Sequence, residues 1–274
     1  MSIARFTSLA AIAATASVAL GALAAPAQES DPVELRIEVY GFAGFHVLTN
    51  RTTVATYGDR YNIATDLDTR GIARIFVDLN SHSEVHGKLV SDAARPDAYH
   101  GDVRRNGTDR HYRIDYRTDG TVASDQTPRS AVLHTQAAAD QMRGTVDQLT
   151  AFFILERRLA QSGKCGLVVP VFDGLSRYNL RFTDAQTETL SPTGGQRFSG
   201  STIACNIIRE DVADFPVDQF VSGGTYQRGK IWYAHLTSGN QMVPVRMEFD
   251  TEFGTVEGYL AELRRAGVDM RFMD

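Results

Sequence analysis

The sequence predicts a mainly β fold: an antiparallel meander that forms a barrel or half-barrel, with one long helix packed on it. Three observations predict this class. Apolar and polar residues alternate along several short segments, Asn-Gly and Asp-Gly dipeptides lie beside those segments, and only one long segment, about residues 137–161, has helical spacing. Alternation buries one face of a strand and leaves the other in water, which is typical of antiparallel sheets.

The alternating segments recur from residue 33 to the C-terminal region. In the clearest of them the apolar positions are Val243, Val245, Met247 and Phe249, and charged residues stand between the last three. Successive side chains of a strand point to opposite faces, so such a segment presents one apolar face to a core. We predict further strands over Leu35–Val39, Tyr112–Tyr116, Val169–Phe172, Arg177–Phe182 and Ile231–His235.

Turn signals separate the predicted strands. Asn106-Gly107, Asp119-Gly120 and Asp173-Gly174 readily adopt the positive φ angles of tight hairpins, and Ser238-Gly239-Asn240 separates two later strands. The spacing of these signals leaves room for strands of roughly 8 to 12 residues, as in a meander, a barrel or a half-barrel.

The segment with helical spacing runs over about residues 137–161. Leu149, Phe152 and Phe153 share one face of this predicted helix, and Ser162-Gly163 is a stop signal. We expect the helix to lie across the open face or mouth of the sheet.

The N-terminus has the parts of an export signal. Arg5 precedes the uncharged run Leu9–Leu23, and small residues follow it. The run is shorter than the about 20 residues that cross a membrane as a helix, so we expect a signal peptide, residues 1–24, cleaved near 24–27. An N-terminal membrane anchor is the alternative. The mature chain is expected to be one β-rich domain over residues 33–270 without a transmembrane segment.

The chain has two cysteines, Cys165 and Cys205. Exported proteins enter an oxidising compartment, where two cysteines most often form one disulfide. The favoured interpretation is a structural disulfide that closes a loop of about 40 residues, worth about 4 kcal/mol. Two free buried thiols or a redox pair are the alternatives, although the C-x-x-C spacing of redox pairs is absent.

Charge and composition exclude two classes of partner. The formal net charge is −5, and Lys88, Lys164 and Lys230 are the only lysines. Proteins that bind nucleic acid concentrate Lys and Arg on one face, and membrane-binding patches are polybasic. The sequence therefore predicts neither a nucleic-acid partner nor a polybasic membrane patch.

The central third of the chain resembles a known family. The pattern is G-T-V-D-Q-L over Gly144–Leu149, then Cys165, then V-P-V-F-D-G-x-x-R-Y-N-L over Val169–Leu180, then Cys205. It is similar to the exported bacterial family catalogued as domain of unknown function 3108, and the resemblance runs over about residues 33–260. The resemblance implies a β-rich, partly closed barrel in the envelope of Gram-negative bacteria, hence the periplasm. It implies no established activity.

The family-like motif has no assigned role. Its residues are Phe172, Asp173, Gly174, Arg177 and Tyr178. Asp173 is a candidate catalytic carboxylate, but Asp-Gly between two strands forms a hairpin turn by itself, and we favour the turn. Relatives carry more basic residues after the Asp-Gly, and here only Arg177 is retained. Arg177 and Tyr178 form either a polar site near the barrel rim or a solvated strand end.

His82, Glu84 and His86 are the best metal candidates, and they are weak ones. On a strand they share one face, but zinc needs three or four converging ligands and the H-E-x-x-H order is absent. A solvated strand face is the favoured interpretation. We expect no metal and no cofactor.

Three functions are consistent with these observations. The G-x-S-x-G elbow, phosphate loops and dinucleotide motifs are all absent from the sequence, which identifies no catalytic residue and favours a non-enzyme. We favour a binding module or carrier for a lipid or other apolar ligand in the cell envelope, because barrels of this size either fill their interior or enclose one ligand. The alternative is an envelope assembly or structural factor that docks another protein. An envelope hydrolase ranks third.

Overall fold

A computed structural model describes residues 32–75, 77–91, 93–129, 136–174, 176–193, 195–212, 227–236, 241–251 and 254–273. The predicted signal peptide, residues 1–24, and the predicted turn at Ser238–Asn240 lie outside the described residues. No helix among the described residues is long and apolar enough to span a membrane.

The described residues form fifteen strands and two α-helices, α1 (Gln136–Met142) and α2 (Gln148–Ser162). Short 3-10 helices lie at Phe42–Gly44 and Gly71–Ile75. The strands are β1 (Val33–Tyr40), β2 (His46–Tyr57), β3 (Arg60–Thr69), β4 (Leu79–Val90), β5 (Ala93–Arg105), β6 (Thr108–Tyr116), β7 (Val122–Thr127), β8 (Leu167–Phe172), β9 (Arg177–Asp184), β10 (Glu188–Leu190), β11 (Gly200–Asp211), β12 (Arg228–His235), β13 (Met242–Thr251), β14 (Gly254–Arg265) and β15 (Val268–Arg271).

The strands form one antiparallel sheet in the order β7-β6-β5-β4-β3-β2-β1-β14-β13-β12-β11-β9-β8, to which β10 and β15 add at β11 and β14. This confirms the predicted mainly β, antiparallel class. Among the described residues, β7 and β8 end the order and do not pair with each other. The sheet is therefore not closed by strand pairing.

The predicted turns connect consecutive strands. Asn106 and Gly107 have φ of 49° and 78°, Gly120 has 82° and Gly174 has 93°. These are the left-handed values for which Asn and Gly are suited. The dipeptides lie between β5 and β6, between β6 and β7, and between β8 and β9, as predicted.

The helix predicted over about residues 137–161 is two helices, α1 and α2. Gly144 has φ of 74°, a left-handed value that ends helical geometry, and Val146 forms a parallel bridge to Val171 of β8. Asp147 then caps α2, and Gly163 with φ of 65° ends it. The prediction of a single helix is wrong because tertiary pairing of residue 146 overrides the helical periodicity around it.

The segment between the helices bridges the gap in the sheet. The Gly144 N–H donates to the Gly120 carbonyl at 2.9 Å, and the Val146 N–H donates to the Pro170 carbonyl at 3.0 Å. Beside this segment lies a small core of Ile114, Val122, Ala138, Met142 and Phe172. The turn after β6 and the edge of β8 are thus both tied to the same stretch of chain.

Helix α2 packs between the two halves of the sheet. Ala151, Leu155 and Leu159 are buried in a core formed by β8, β9, β11, β12 and β13, whereas Phe153 packs with residues of β2 to β5. The Arg157 side chain donates to the Ser91 carbonyl in the turn between β4 and β5 at 3.0 Å. The helix therefore spans the mouth of the curved sheet at which this turn lies.

Cys165 and Cys205 form the predicted disulfide, with an S–S distance of 2.07 Å and a Cα–Cα distance of 5.7 Å. Both residues are fully buried. The bond joins the chain that leaves α2 to β11. A second core, around Trp232, Val245 and Leu260, is partly covered by Phe198 and Phe272.

Candidate functional site

The Asp-Gly turn of the family-like motif is structural. The Asp173 carboxylate accepts a hydrogen bond from the Ser176 N–H at 2.8 Å, which is the geometry of a capped turn. Phe172 is fully buried. A Cβ at residue 174 would lie 3.1 Å from the Tyr112 ring, and its φ is left-handed, so glycine is required there. We find Asp173 where the turn interpretation places it.

Arg177 holds helix α1 to the sheet. Its Nε donates to the Gln141 carbonyl at 3.1 Å, and its Nη1 donates to the Asn179 amide oxygen at 3.0 Å. Desolvation lowers the pKa of this guanidinium. A cation near the last carbonyls of a helix is favourable. The guanidinium therefore fastens the C-terminal end of α1 to β9.

Tyr178 fastens the N-terminal end of α2 to β9. The side chain is fully buried, its hydroxyl donates to the Gln148 side-chain oxygen at 3.2 Å, and the Arg209 guanidinium lies 3.6 Å from the ring centroid. Together with Arg177, this residue joins the helices to the strand that follows the gap in the sheet. The motif thus stabilises the closure of the fold.

The metal candidates lie on the outer face of β4. The His82 Nδ1 is 2.8 Å from the Asp66 carboxylate, and the Asn62 side chain donates to Glu84 at 3.1 Å. His86 is exposed on the same face of β4, two residues beyond Glu84. Among the described residues, no group of three or more His, Cys, Asp or Glu side chains is placed to hold a metal ion.

The inner face of β2 to β7 carries a polar belt. Val54, Ile63 and Val85 pack against Phe153 of α2, so they mark the inner face. Residues two positions along each strand lie on the same face. The row of paired residues two positions from Val54, Ile63 and Val85 is polar apart from Gly101. The polar belt comprises Thr52, Thr65, Ser83, Tyr112 and Gln126, with Asn50 beside them.

Most of the polar belt is hydrogen-bonded internally. The Asn50 amide donates to the Thr65 hydroxyl at 2.9 Å, and the Thr52 hydroxyl donates to the Asn50 oxygen at 2.9 Å. The Tyr99 hydroxyl donates to Ser83 at 3.0 Å. Thr65 and Ser83 are only 5% and 9% exposed. The belt is therefore a built layer of hydroxyl and amide groups inside the fold.

Gln126 is a buried amide in the belt. It is 3% exposed, and among the described residues neither its side-chain oxygen nor its side-chain nitrogen has a hydrogen-bond partner. Buried polar atoms are paired in the great majority of cases, and leaving one unpaired costs about 1–3 kcal/mol. This amide is therefore a feature that the packing of the protein alone does not explain.

The opposite half of the interior is apolar. Its buried side chains come from β8, β9, β11 and β12, and they pack against α2. We call them the apolar wall: Val169, Val171, Leu180, Phe182, Ile207 and Ile231. Three further side chains that pack there, Phe152, Met247 and Phe249, are only partly buried. These three side chains therefore keep apolar surface that is not covered by the rest of the core.

Glu156 of α2 lies among apolar residues. A helix advances about 100° per residue, which places Glu156 beside Phe152 and Leu159 and on the side of the helix opposite the exposed Arg158 and Gln161. Among the described residues, none forms a hydrogen bond or ion pair with its carboxyl group. Burial alone raises the pKa of this carboxyl to about 8.

Asp147 provides a contrast with Glu156. Asp147 is fully buried, whereas Glu156 is partly exposed, and the Asp147 carboxylate accepts from the Thr150 N–H at 2.8 Å and from the Thr150 hydroxyl at 2.7 Å. Thr150 is in turn 2.9 Å from the Tyr61 hydroxyl. Burial raises the pKa of Asp147 to about 6. Its role is that of an N-cap, whereas the position of Glu156 has no such structural explanation.

The sequence comparison identifies the family. Residues 36–261 match the family described as "Protein of unknown function (DUF3108)". The chain belongs to this family. No curated protein is similar to it in sequence.

Two solved structures resemble this DUF3108 protein. One is a beta-barrel-like protein of domain of unknown function DUF1849 from Brucella abortus, with 10% identity, a TM-score of 0.49, and coverage of 86% of this chain and 98% of the other. The second is described as a "putative lipoprotein" from Parabacteroides distasonis, with 14% identity, a TM-score of 0.35, and coverage of 87% and 97%.

Sequence reasoning missed both Glu156 and the polar belt of the DUF3108 chain. Glu156 was detectable, because Leu149, Phe152 and Leu159 surround it on a helical wheel. The belt was not, because Thr52 and Thr65 come from separate strands and become one surface only through the register of the sheet.

Proposed function

We propose that this protein is a non-enzymatic binding module of the bacterial cell envelope that encloses an amphiphilic, lipid-like molecule. The ligand lies between α2 and the inner face of the sheet, in the space that we call the chamber. Its apolar chain contacts the apolar wall, and its polar end contacts the polar belt.

The observation that carries the proposal is the division of the interior. A core built only for stability pairs its polar groups, yet the buried amide of Gln126 and the carboxyl of Glu156 on the inward side of α2 have no partner among the described residues. Ligand sites are mostly apolar with a few convergent polar groups, and this interior has that composition.

The apolar wall supplies the larger share of the binding free energy. Each methylene moved from water into an apolar site contributes about 0.8 kcal/mol. The partly buried Phe152, Met247 and Phe249 are the side chains against which an aliphatic chain gains this term. The hydroxyls of the polar belt then orient the ligand, because they hydrogen-bond its polar end on the inner face of β2 to β7.

Two acids that could serve catalysis have structural roles instead. Asp147 caps α2, and Asp173 closes the turn between β8 and β9. These contacts support a binding function over a hydrolytic one. Export to the periplasm is supported by the apolar N-terminal run with its small-residue cleavage site and by the disulfide, which forms in oxidising compartments.

Native mass spectrometry tests the proposal. The mature protein is purified from the periplasm without detergent, sprayed under native and denaturing conditions, and extracted with organic solvent. We expect extra mass that is lost on denaturation and matches an amphiphile in the extract. A bare chain, two hydrogens light for the disulfide, that also binds no added aliphatic probe would contradict the proposal.

One observation favours a second function, the docking of another envelope protein. Phe45, Ile72 and Ile75 are 54%, 51% and 79% exposed. They lie at the same end of the sheet, because the Arg70 N–H donates to the Val47 carbonyl at 2.9 Å. Exposed apolar groups that lie together indicate an interaction site. A partner captured from envelope extracts by the parent protein and lost with Ile75→Ser, while the interior binds no probe, would favour this function.

A further inference from the structure

Glu156 has an environment that sets the chemistry of the ligand. It extends from the buried side of α2 between Phe152 and Leu159, and no cationic side chain among the described residues pairs with it. An acid without a partner on an apolar helix face is costly, and proteins normally place a partner beside it. Glu156 is partly exposed, so the space beside its carboxyl group can admit a partner from outside the chain.

Among the described residues, no cation shifts the pKa of Glu156, whose only cause of shift is desolvation. The polar belt is made of hydroxyl and amide groups such as Thr52, Thr65 and Gln126. The partly buried Arg177 and the buried Arg209 are engaged elsewhere: Arg177 with the Gln141 carbonyl at 3.1 Å, and Arg209 with the Asp211 carboxylate at 2.7 Å.

We infer that Glu156 is the binding point for a cationic headgroup, so that the ligand is an aliphatic amphiphile carrying an ammonium group. This inference rests on the proposed function and specifies its ligand. The ammonium group ion-pairs with Glu156 beneath α2, the aliphatic chain lies along the apolar wall, and the polar belt hydrogen-bonds the remaining N–H or oxygen groups of the head.

The acidic groups of the chamber favour a cationic headgroup over an anionic or a neutral one. An anionic head, such as a carboxylate or a phosphate, forms no ion pair with Glu156 and is repelled by the charge of the buried Asp147, because like charges repel strongly where water is excluded. A neutral head gains only hydrogen bonds. A cation gains a charge-assisted hydrogen bond, which is about twice as strong as a neutral one.

The protonation of Glu156 is compatible with this step. Burial raises its pKa to about 8, so the carboxyl of the free protein carries a proton at pH 7. When the ammonium head enters, this proton passes to solvent and the carboxylate pairs with the cation. The proton of the carboxyl group is thus replaced by the ammonium group, and the net charge inside the protein does not change.

The test compares three ten-carbon probes that differ only in their heads: decylamine, 1-decanol and decanoate. Each is titrated by calorimetry at pH 7 into protein stripped of ligand, below its micelle concentration. We expect decylamine to bind at least about tenfold more tightly than 1-decanol, and decanoate to bind most weakly. In Glu156→Gln the preference for the amine over the alcohol falls to within about twofold, and the affinity for 1-decanol is retained.

Glu84→Gln is the matched control, because Glu84 is an acid on the outer face of β4. It is expected to keep the amine preference. Glu156→Met is a second variant of similar length in case Glu156→Gln fails to fold, and circular dichroism verifies the fold of each. Equal binding of amine and alcohol by the parent protein, or an amine preference that persists in both Glu156 variants, overturns this inference and leaves the proposed function intact. Binding of none of the three probes overturns the proposed function itself.

Discussion

The two halves of the sheet share one architecture but differ in the chemistry of their inner faces. Both are antiparallel and built from hairpins, and both face α2. The half formed by β2 to β7 carries the polar belt, whereas β8 to β12 carry the apolar wall. In the half formed by β2 to β7, the row of Val54, Ile63 and Val85 packs against α2, and the next row on the same face is the polar belt. The comparison indicates that the polar half serves a requirement other than stability.

The structure concentrates its stabilising contacts in the apolar half. Ala151, Leu155 and Leu159 of α2 are at most 1% exposed there. The disulfide between Cys165 and Cys205 lies in the same core. Changes in the two halves should therefore differ in size and in kind, and the following predictions test that difference.

Removal of the disulfide is expected to give the largest effect. The bond closes a loop with a sequence separation of 40, and the double variant Cys165→Ala/Cys205→Ala should lose about 4 kcal/mol of unfolding free energy by the loop-entropy model. Urea unfolding of the parent and the variant measures it. A variant as stable as the parent would show that the apolar half is not held by this bond.

Matched truncations of the two walls come next. Leu180 is fully buried in the apolar wall, and Leu180→Ala should cost about 2–5 kcal/mol through lost contact and a cavity. Thr65→Val in the polar belt keeps the shape and removes one hydroxyl, so it should cost only about 1 kcal/mol. Equal losses in chemical denaturation would remove the distinction between the halves.

The pH dependence of stability tests the position of Glu156. The pKa of an unfolded glutamate is near its ordinary value of 4.5, and in the folded protein it is raised to about 8. Between these values the folded state binds more protons, so its stability falls as pH rises from about 4.5 to about 8 and is flat outside that window. Glu156→Gln removes this loss, whereas the smaller contribution of Asp147 is common to both proteins.

The melting temperature of Glu156→Gln relative to the parent should therefore increase from pH 5 to pH 8. Thermal unfolding by circular dichroism at the two pH values measures the difference. A difference that does not change with pH, or that decreases, would place the carboxyl of Glu156 in contact with water.

The outer face should show the smallest effect. The Asp102 carboxylate lies 2.5 Å from His111 and 3.1 Å from His100, and the hydrogen bond from His111 is the largest cause of its lowered pKa. All three side chains are exposed, so His111→Gln should change the unfolding free energy by less than about 1 kcal/mol at pH 7. A loss comparable with that of Leu180→Ala would mean that this surface is covered in the protein.

Much of the fold followed from the sequence. Alternation identified β6 and β13, the dipeptides at Asn106 and Asp173 identified hairpins, and the two cysteines predicted their disulfide. These signals depend on neighbouring residues or on composition, so they can be recognised from one sequence alone. The break between α1 and α2 was not predictable in this way, since it depends on the pairing of Val146 with Val171 across the gap in the sheet.

The candidate site was only partly predictable, for the same reason. Glu156 is visible as an acid on an apolar helical face, but whether such an acid has a partner depends on the tertiary structure. Thr52 and Gln126 are unremarkable strand residues in the sequence, and they belong to one row of the polar belt only because five strand pairings align them. The motif residues Asp173 and Arg177 attracted attention through the family resemblance, and their contacts prove to be structural.

A pair of neighbouring threonines tests the central claim most directly. Thr52 belongs to the polar belt on the inner face of β2, and Thr53 lies on the outer face of the same strand. Leucine at residue 52 projects into the chamber, whereas leucine at residue 53 does not. Calorimetric titration with 1-decanol should show at least about tenfold weaker binding for Thr52→Leu and unchanged binding for Thr53→Leu. Equal affinity in the two variants would contradict a ligand held between α2 and the polar belt.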